Sequence, residues 1–185
     1  VTGLVTVCGA ASAGLPDDWS DLFERCRVSV EQGVPFEARG LERAPEEERL
    51  GMASAARTVK AGNRIHKLPA IKAPDALWHV PGGRFSVAIT ESNCTVRQRA
   101  GQRLSVDEKQ DLIARFKEDR DALVAAGSHE MRIVQPGRPV QQFAFRPLRR
   151  MADGKCVIST ISWTLKWLAG GTGVQPDRLC DLPER

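Results

Sequence analysis

The chain has 185 residues, 42% of them apolar and 27% charged, which suits one globular domain with a core of its own. Its 27 basic and 23 acidic side chains leave a net charge of +4, a mixed surface rather than the polybasic one of a dedicated duplex binder. The whole excess falls in residues 128–185, with 9 basic against 5 acidic side chains. A second stretch is locally basic: Arg57, Lys60, Arg64, Lys67 and Lys72 occur with no acid between Gly51 and Pro74, although Glu46-Glu47-Glu48 lies just upstream.

Residues 1–13, VTGLVTVCGAASA, carry no charge and end in Ala11-Ser12-Ala13, the small-x-small form that a signal peptidase cleaves. They read as a signal-peptide remnant, with an ordinary strand at Leu4–Cys8 as the alternative. Residues 14–185 are expected to form a single domain. Export to the periplasm or the exterior fits the remaining cysteines, Cys26, Cys94, Cys156 and Cys180. An even count suits two disulfide bonds in an oxidising compartment. Of the three pairings, Cys26–Cys94 and Cys156–Cys180 each tie neighbouring elements. Four buried thiols in a cytosolic protein are the alternative. No CxxC signals a dithiol or a zinc knuckle, and no stretch reads as a membrane span.

The first element is a helix over Asp17–Gln32, introduced by Pro16 and stopped by Gly33. Trp19, Leu22, Phe23, Cys26 and Val30 make its apolar stripe. Residues 33–75 show little periodicity and read as a wrapping segment, with Ala53–Ala61 as a short helix. Leu77–Val80 is a short strand. Phe85, Val87 and Ile89 alternate with Ser86, Ala88 and Thr90, and Cys94–Arg99 alternates likewise, so two strands of a meander follow. The clearest helix runs over Val106–Ala126, opened by the capping-box pair Ser105 and Glu108. Strands then resume at Met131–Val134, Val140–Phe145 and Lys155–Leu165, the last with Val157, Ile161, Trp163 and Leu165 on one face. Gly170-Gly171-Thr172-Gly173 reads as a flexible link, and Cys180 pins the tail near Cys156. The expected fold is α+β: an antiparallel sheet of about five or six strands with two main helices packed on one face. The order also reads as a duplicated α-β-β-β unit.

No motif announces a chemistry. His66, His79 and His129 share no ligand spacing, and His129-Glu130 fails as H-E-x-x-H because residue 133 is Ile133. G-x-S-x-G, P-loop and dinucleotide fingerprints are absent. Cys94 with His79 is a conceivable thiol–imidazole pair, outweighed by a disulfide to Cys26. Glu91 is the best-placed single carboxylate and has no evident partner. No catalytic, cofactor-binding or metal-ligating set is therefore expected. Arg97 and Arg99 on one strand, with Arg146 and Arg149 near another, would form an anion-binding surface if both pairs faced solvent from one sheet. Phe85, Phe143 and Phe145 belong to the core by their alternation.

The signal-like start, the helix with an internal cysteine and the G-R-F-S-V…C-T-V hairpin resemble small exported bacterial proteins of unassigned function. The leading expectation is an exported accessory or binding protein without catalytic activity. Its partner would be an anionic envelope component or an acidic protein, and an exported chain makes nucleic acid a poor candidate. The alternatives are a small hydrolase or transferase, with two or more of Glu91, His79, His129 and Ser92 gathered in a pocket, and a cytosolic anion or nucleic-acid binder.

Overall fold

The structure is a computed structural model that describes residues 14–61, 64–132, 141–151 and 153–175. It is α+β, with three helices and one antiparallel eight-stranded sheet. Helix α1 spans Leu15–Gln32. Pro16 lies in its first turn, and Gly33 closes it in the left-handed conformation at φ 65°. Strand β1 (Glu42–Arg43) and the short helix α2 (Glu46–Gly51) follow. A hairpin of β2 (Arg57–Ala61) and β3 (Arg64–Leu68) forms a separate two-stranded sheet. The main sheet resumes with β4 (Ala76–His79), β5 (Phe85–Thr90) and β6 (Asn93–Gln98). Helix α3 (Val106–Ala125) then leads into β7 (His129–Arg132), β8 (Gln141–Pro147), β9 (Cys156–Trp163) and β10 (Leu168–Gln175).

The strand order is β1-β4-β5-β6-β10-β9-β8-β7. Each half is a helix followed by a meander, and the two meanders join where β6 pairs with β10. Helices α1 and α3 cover one face. Trp19, Leu22, Phe23 and Cys26 of α1 and Leu112, Ile113 and Phe116 of α3 are buried there against Phe85, Val87, Val96, Phe145 and Ile161. Trp19 stacks on Phe23 at 5.0 Å, and Phe116 lies within 5.3 Å of Phe23 and 5.5 Å of Phe145. Phe85 and Phe145 thus take the core positions that their alternation indicates, and Phe143 packs against Trp163 at the margin, with ring centroids 5.3 Å apart. The Cys26–Cys94 disulfide ties α1 to β6, with 5.2 Å between Cα atoms.

Several expectations are corrected. The main sheet has eight strands among the described residues, not five or six; the two main helices, α1 and α3, pack on one face as expected, and the six-residue α2 is additional. Residues 57–61, expected to be helical, form β2, whose hydrogen bonds go to β3. The glycine-rich run expected to be a flexible link is β10, paired on both sides near the middle of the sheet. Gly170 is there because its neighbour needs the space: a Cβ at this position would sit 2.4 Å from Trp19 Cζ2. Leu165, expected on the inner face of β9, is 91% exposed in the turn before β10. That turn is held from below by Lys109, whose buried ammonium donates to the Leu165 carbonyl at 2.7 Å. Residues 1–13, Ile133, Val134, Val140 and Cys180 lie outside the described residues.

The capping box on α3 is present in both directions. Ser105 Oγ accepts the Glu108 N–H at 3.1 Å, and Glu108 accepts the Ser105 N–H at 2.7 Å. That backbone donor, helped by Arg84, holds the Glu108 carboxyl below the usual glutamate range. A depressed folded pKa stabilises above the unfolded value of about 4.3 and loses its effect as pH falls through the folded value. Glu108→Gln keeps an acceptor for the Ser105 N–H and is therefore expected to cost only about 0.5 kcal/mol at neutral pH, with the gap to wild type closing as pH falls below about 4. Urea titrations across pH check both the size and the sign.

Candidate functional site

Two histidines gather serine and carboxylate neighbours. On the face away from α1 and α3, His79 Nδ1 lies 3.0 Å from Ser86 Oγ and Nε2 lies 2.8 Å from Glu48. His129 has Ser128 Oγ at 2.8 Å from Nδ1 and Glu31 at 3.1 Å from Nε2, with its ring against Phe145. A neutral imidazole satisfies either set by donating from Nε2 and accepting a hydroxyl at Nδ1. The first set has the membership of an acyl-transfer triad and the wrong exposure. Ser86 is 2% exposed and His79 4%, so no substrate carbonyl reaches the hydroxyl. Its physical role is to bind α2 to the sheet, beside the small core of Ala44, Leu77 and Ala88. His79→Ala is expected to cost about 2 kcal/mol by leaving Ser86 without its partner. Thermal denaturation measures the loss, and Ser86 is expected to resist a fluorophosphonate probe.

Glu91 and Ser92 line a cleft of about 350 Å³ between the end of α1, the β5–β6 turn and Met151. Neither His79 nor His129 lines it. Cys94 faces the helices and is oxidised, so it forms no thiol–imidazole pair with His79, which faces the other way. His66 sits in β3 opposite Val59. Cys156 is buried and is not a free thiol. Its expected partner Cys180 lies outside the described residues. Among the described residues, no group of three or more potential ligands is placed to hold a metal ion, and no helix is long and apolar enough to cross a membrane.

The other face of the sheet is where sequence and structure make a surface. In β6, Cys94 and Val96 point to the helices, so Thr95 and Arg97 point away. Register carries that parity across the sheet: Thr95 pairs with Gly171, which pairs with Thr160, which pairs with Ala144. On β10 the outward positions are Ala169, Gly171 and Gly173, flanked by Ile158, Thr160 and Ser162 of β9. A strand with almost no side chains between two that have them makes a shallow groove of about 270 Å³. Asn93 lies at one end and Trp167, 40% exposed, at the other. The glycines also serve local packing, since a Cβ on Gly171 would meet the Cys94 carbonyl at 2.8 Å, and one on Gly173 would meet the Asn93 side chain. The groove is smaller than the enclosed sites of small-molecule enzymes, which run from about 300 to 1,000 Å³. It suits contact along a surface more than sequestration.

No protein-family model, curated protein or solved structure matches this chain.

The arginines divide. Arg97 stands opposite Ala169, at the Trp167 end of the groove. Arg146 is on the same face of β8, ion-paired with Glu130. Three strand spacings and four residues of rise separate Arg97 from Arg146, so they are about 20 Å apart on the diagonal. Arg149 is exposed in the β8–β9 connection, beyond the end of β8, and Arg99 follows β6 with its N–H on the Arg84 carbonyl. The four are not brought together, and Arg97 alone borders the groove. Thr160, Ser162 and Trp167 join the site only through the fold, although the alternation of Ile158, Thr160 and Ser162 with Val157, Ser159 and Ile161 marks Thr160 and Ser162 as outward-facing; Trp167 lies in the turn before β10 and carries no such signal.

Proposed function

We propose that this chain is an exported, disulfide-stabilised binding protein without catalytic activity, which holds an extended polar ligand in the groove over β10. The carrying observation is the groove itself. Hydroxyls of Thr95, Thr160 and Ser162 line it, a half-exposed tryptophan stands at one end, and an arginine stands beside that end. Hydroxyl and amide side chains match the hydroxyls of a sugar, and an aromatic face packs on a sugar ring. Arg97 adds a forked donor for a carboxylate. An acidic oligosaccharide combines all three. The placement outside the cytosol is supported by the buried Cys26–Cys94 bridge, a kind of bond that reducing compartments rarely keep.

Calorimetric titration with tetragalacturonate, and with cellotetraose as the neutral control, tests the proposal. The uronide is expected to bind more tightly, and Arg97→Ala is expected to remove the difference. Ser162→Trp, which fills the groove from an outward position, is expected to weaken binding of the uronide about tenfold or more, a loss of about 1.4 kcal/mol. Equal affinity in Ser162→Trp and wild type, or no binding of either sugar, overturns the reading.

A further inference from the structure

The turn between β9 and β10 carries the most exposed large apolar side chain among the described residues. Leu165 is 91% exposed, Lys166 beside it is exposed, and Trp167 is 40% exposed. Of these, Trp167 alone lines the groove. A lone exposed leucine on a loop is ordinary, but this turn is fixed in place. The Thr164 N–H donates to the Trp167 carbonyl at 2.9 Å, and Thr164 Oγ1 accepts the Lys166 and Trp167 N–H groups at 3.1 and 3.3 Å. From below, the Lys109 ammonium donates to the Thr164 and Leu165 carbonyls at 3.4 and 2.7 Å. These backbone groups are satisfied within the domain and need no water. That is the condition a backbone must meet before it enters an apolar medium.

Cations lie at the same end of the sheet. Arg97 stands opposite Ala169, two residues past Trp167. The chain leaves β6 at this end through Arg99, whose carbonyl accepts the Gln102 N–H, and passes Arg103 before α3 begins. Arg97, Arg99, Arg103 and Lys166 have no ion-pair partner among the described residues. Glu108, next to Lys109 in the chain, is taken up by Arg84 and the Ser105 N–H. Asp107 and Asp111 of α3 are exposed and pair with none of these cations.

We propose that the β9–β10 turn is a docking tip for an anionic lipid surface, with Leu165 and Trp167 entering the headgroup region and Lys166 and the arginines of that end on the lipid phosphates. An aliphatic side chain gains little from a sugar or a nucleic acid in water. A single turn is also far smaller than the ~800 Å² per partner that a stable protein interface buries. A lipid surface demands no matching shape. It takes up an aliphatic tip, seats an indole at the headgroup level and attracts cations when its lipids are anionic. The tip goes beyond the groove and does not rest on it, since Leu165 lies outside the groove lining.

The test is co-sedimentation of the full chain with vesicles of phosphatidylglycerol mixed into phosphatidylcholine, and with vesicles of phosphatidylcholine alone, each at low and high salt. The mixed vesicles are expected to bind more tightly, with affinity that falls as salt rises. Leu165→Ser is expected to lower that affinity about tenfold at either salt. The double variant Arg103→Gln, Lys166→Gln is expected to lose about tenfold at low salt and little at high salt. The difference in emission between wild type and Trp167→Phe is expected to shift to the blue on the mixed vesicles. Melting temperatures serve as the folding control. Leu165→Ser is expected to keep the wild-type affinity for tetragalacturonate, which separates failure of the tip from failure of the groove. Equal vesicle binding by folded Leu165→Ser and wild type overturns the proposal, as does wild-type binding that is absent or equal on the two kinds of vesicle.

Discussion

Replacing Cys26 and Cys94 together with serine is expected to lower the free energy of unfolding by about 4 kcal/mol. The bridge spans a sequence separation of 68 and joins α1 to a central strand, so cutting it frees a long loop in the unfolded chain. For a domain whose whole stability is of order 5–15 kcal/mol, such a loss leaves little margin. Both sulfurs are in the core, at 0% and 1% exposure, which shields them from reductant while the domain is folded. Denaturant melts of wild type with and without reductant, beside the double serine variant, measure the effect. A midpoint unchanged on reduction would contradict it.

The second large effect is at the contact between β10 and α1. Gly170→Val is expected to cost about 3 kcal/mol, because its Cβ falls 2.4 Å from Trp19 Cζ2 and 3.3 Å from Phe23 Cδ2. Trp19→Ala alone is expected to cost about 3–5 kcal/mol through the cavity it leaves. Combined, the two substitutions should cost clearly less than their sum, since the valine then occupies space that the indole vacates. Additive losses would mean that Gly170 matters for strand geometry and not for room. Trp19→Phe should be the milder change, because the Trp19 indole N–H is buried without a hydrogen-bond partner among the described residues.

These two contacts also mark where the sequence is legible. Helices α1 and α3 show in it because their signals are local: apolar spacing, Gly33, and the Ser105–Glu108 box. Strands β5, β6 and β9 show through alternation, and Cys26–Cys94 follows from a cysteine on each of two inward faces. Strand β10 does not show. Leu-Ala-Gly-Gly-Thr-Gly-Val-Gln has the composition of a link, and it is a strand because β6 and β9 pair with it on both sides while Trp19 presses on it. Helix α2 is short and hidden for the same reason. It is held by Glu48 to His79, 31 residues away, and by Arg49 to the Pro74 carbonyl, 25 residues away. The arginine surface was half legible. Alternation places Arg97 outward, and the shared face with Arg146 follows from register. The distance between them depends on β9 and β10 lying in between, and only the strand order carries that.

Amide shift mapping with tetragalacturonate tests the groove over β10 most directly. The expected result is movement concentrated at Thr95, Arg97, Thr160, Ser162 and the Trp167 indole N–H, with His79, Ser86 and the α1–α3 face unmoved. Shifts centred on His79 and Ser86, or on the Glu91 cleft, would contradict it, as would no shift at millimolar ligand.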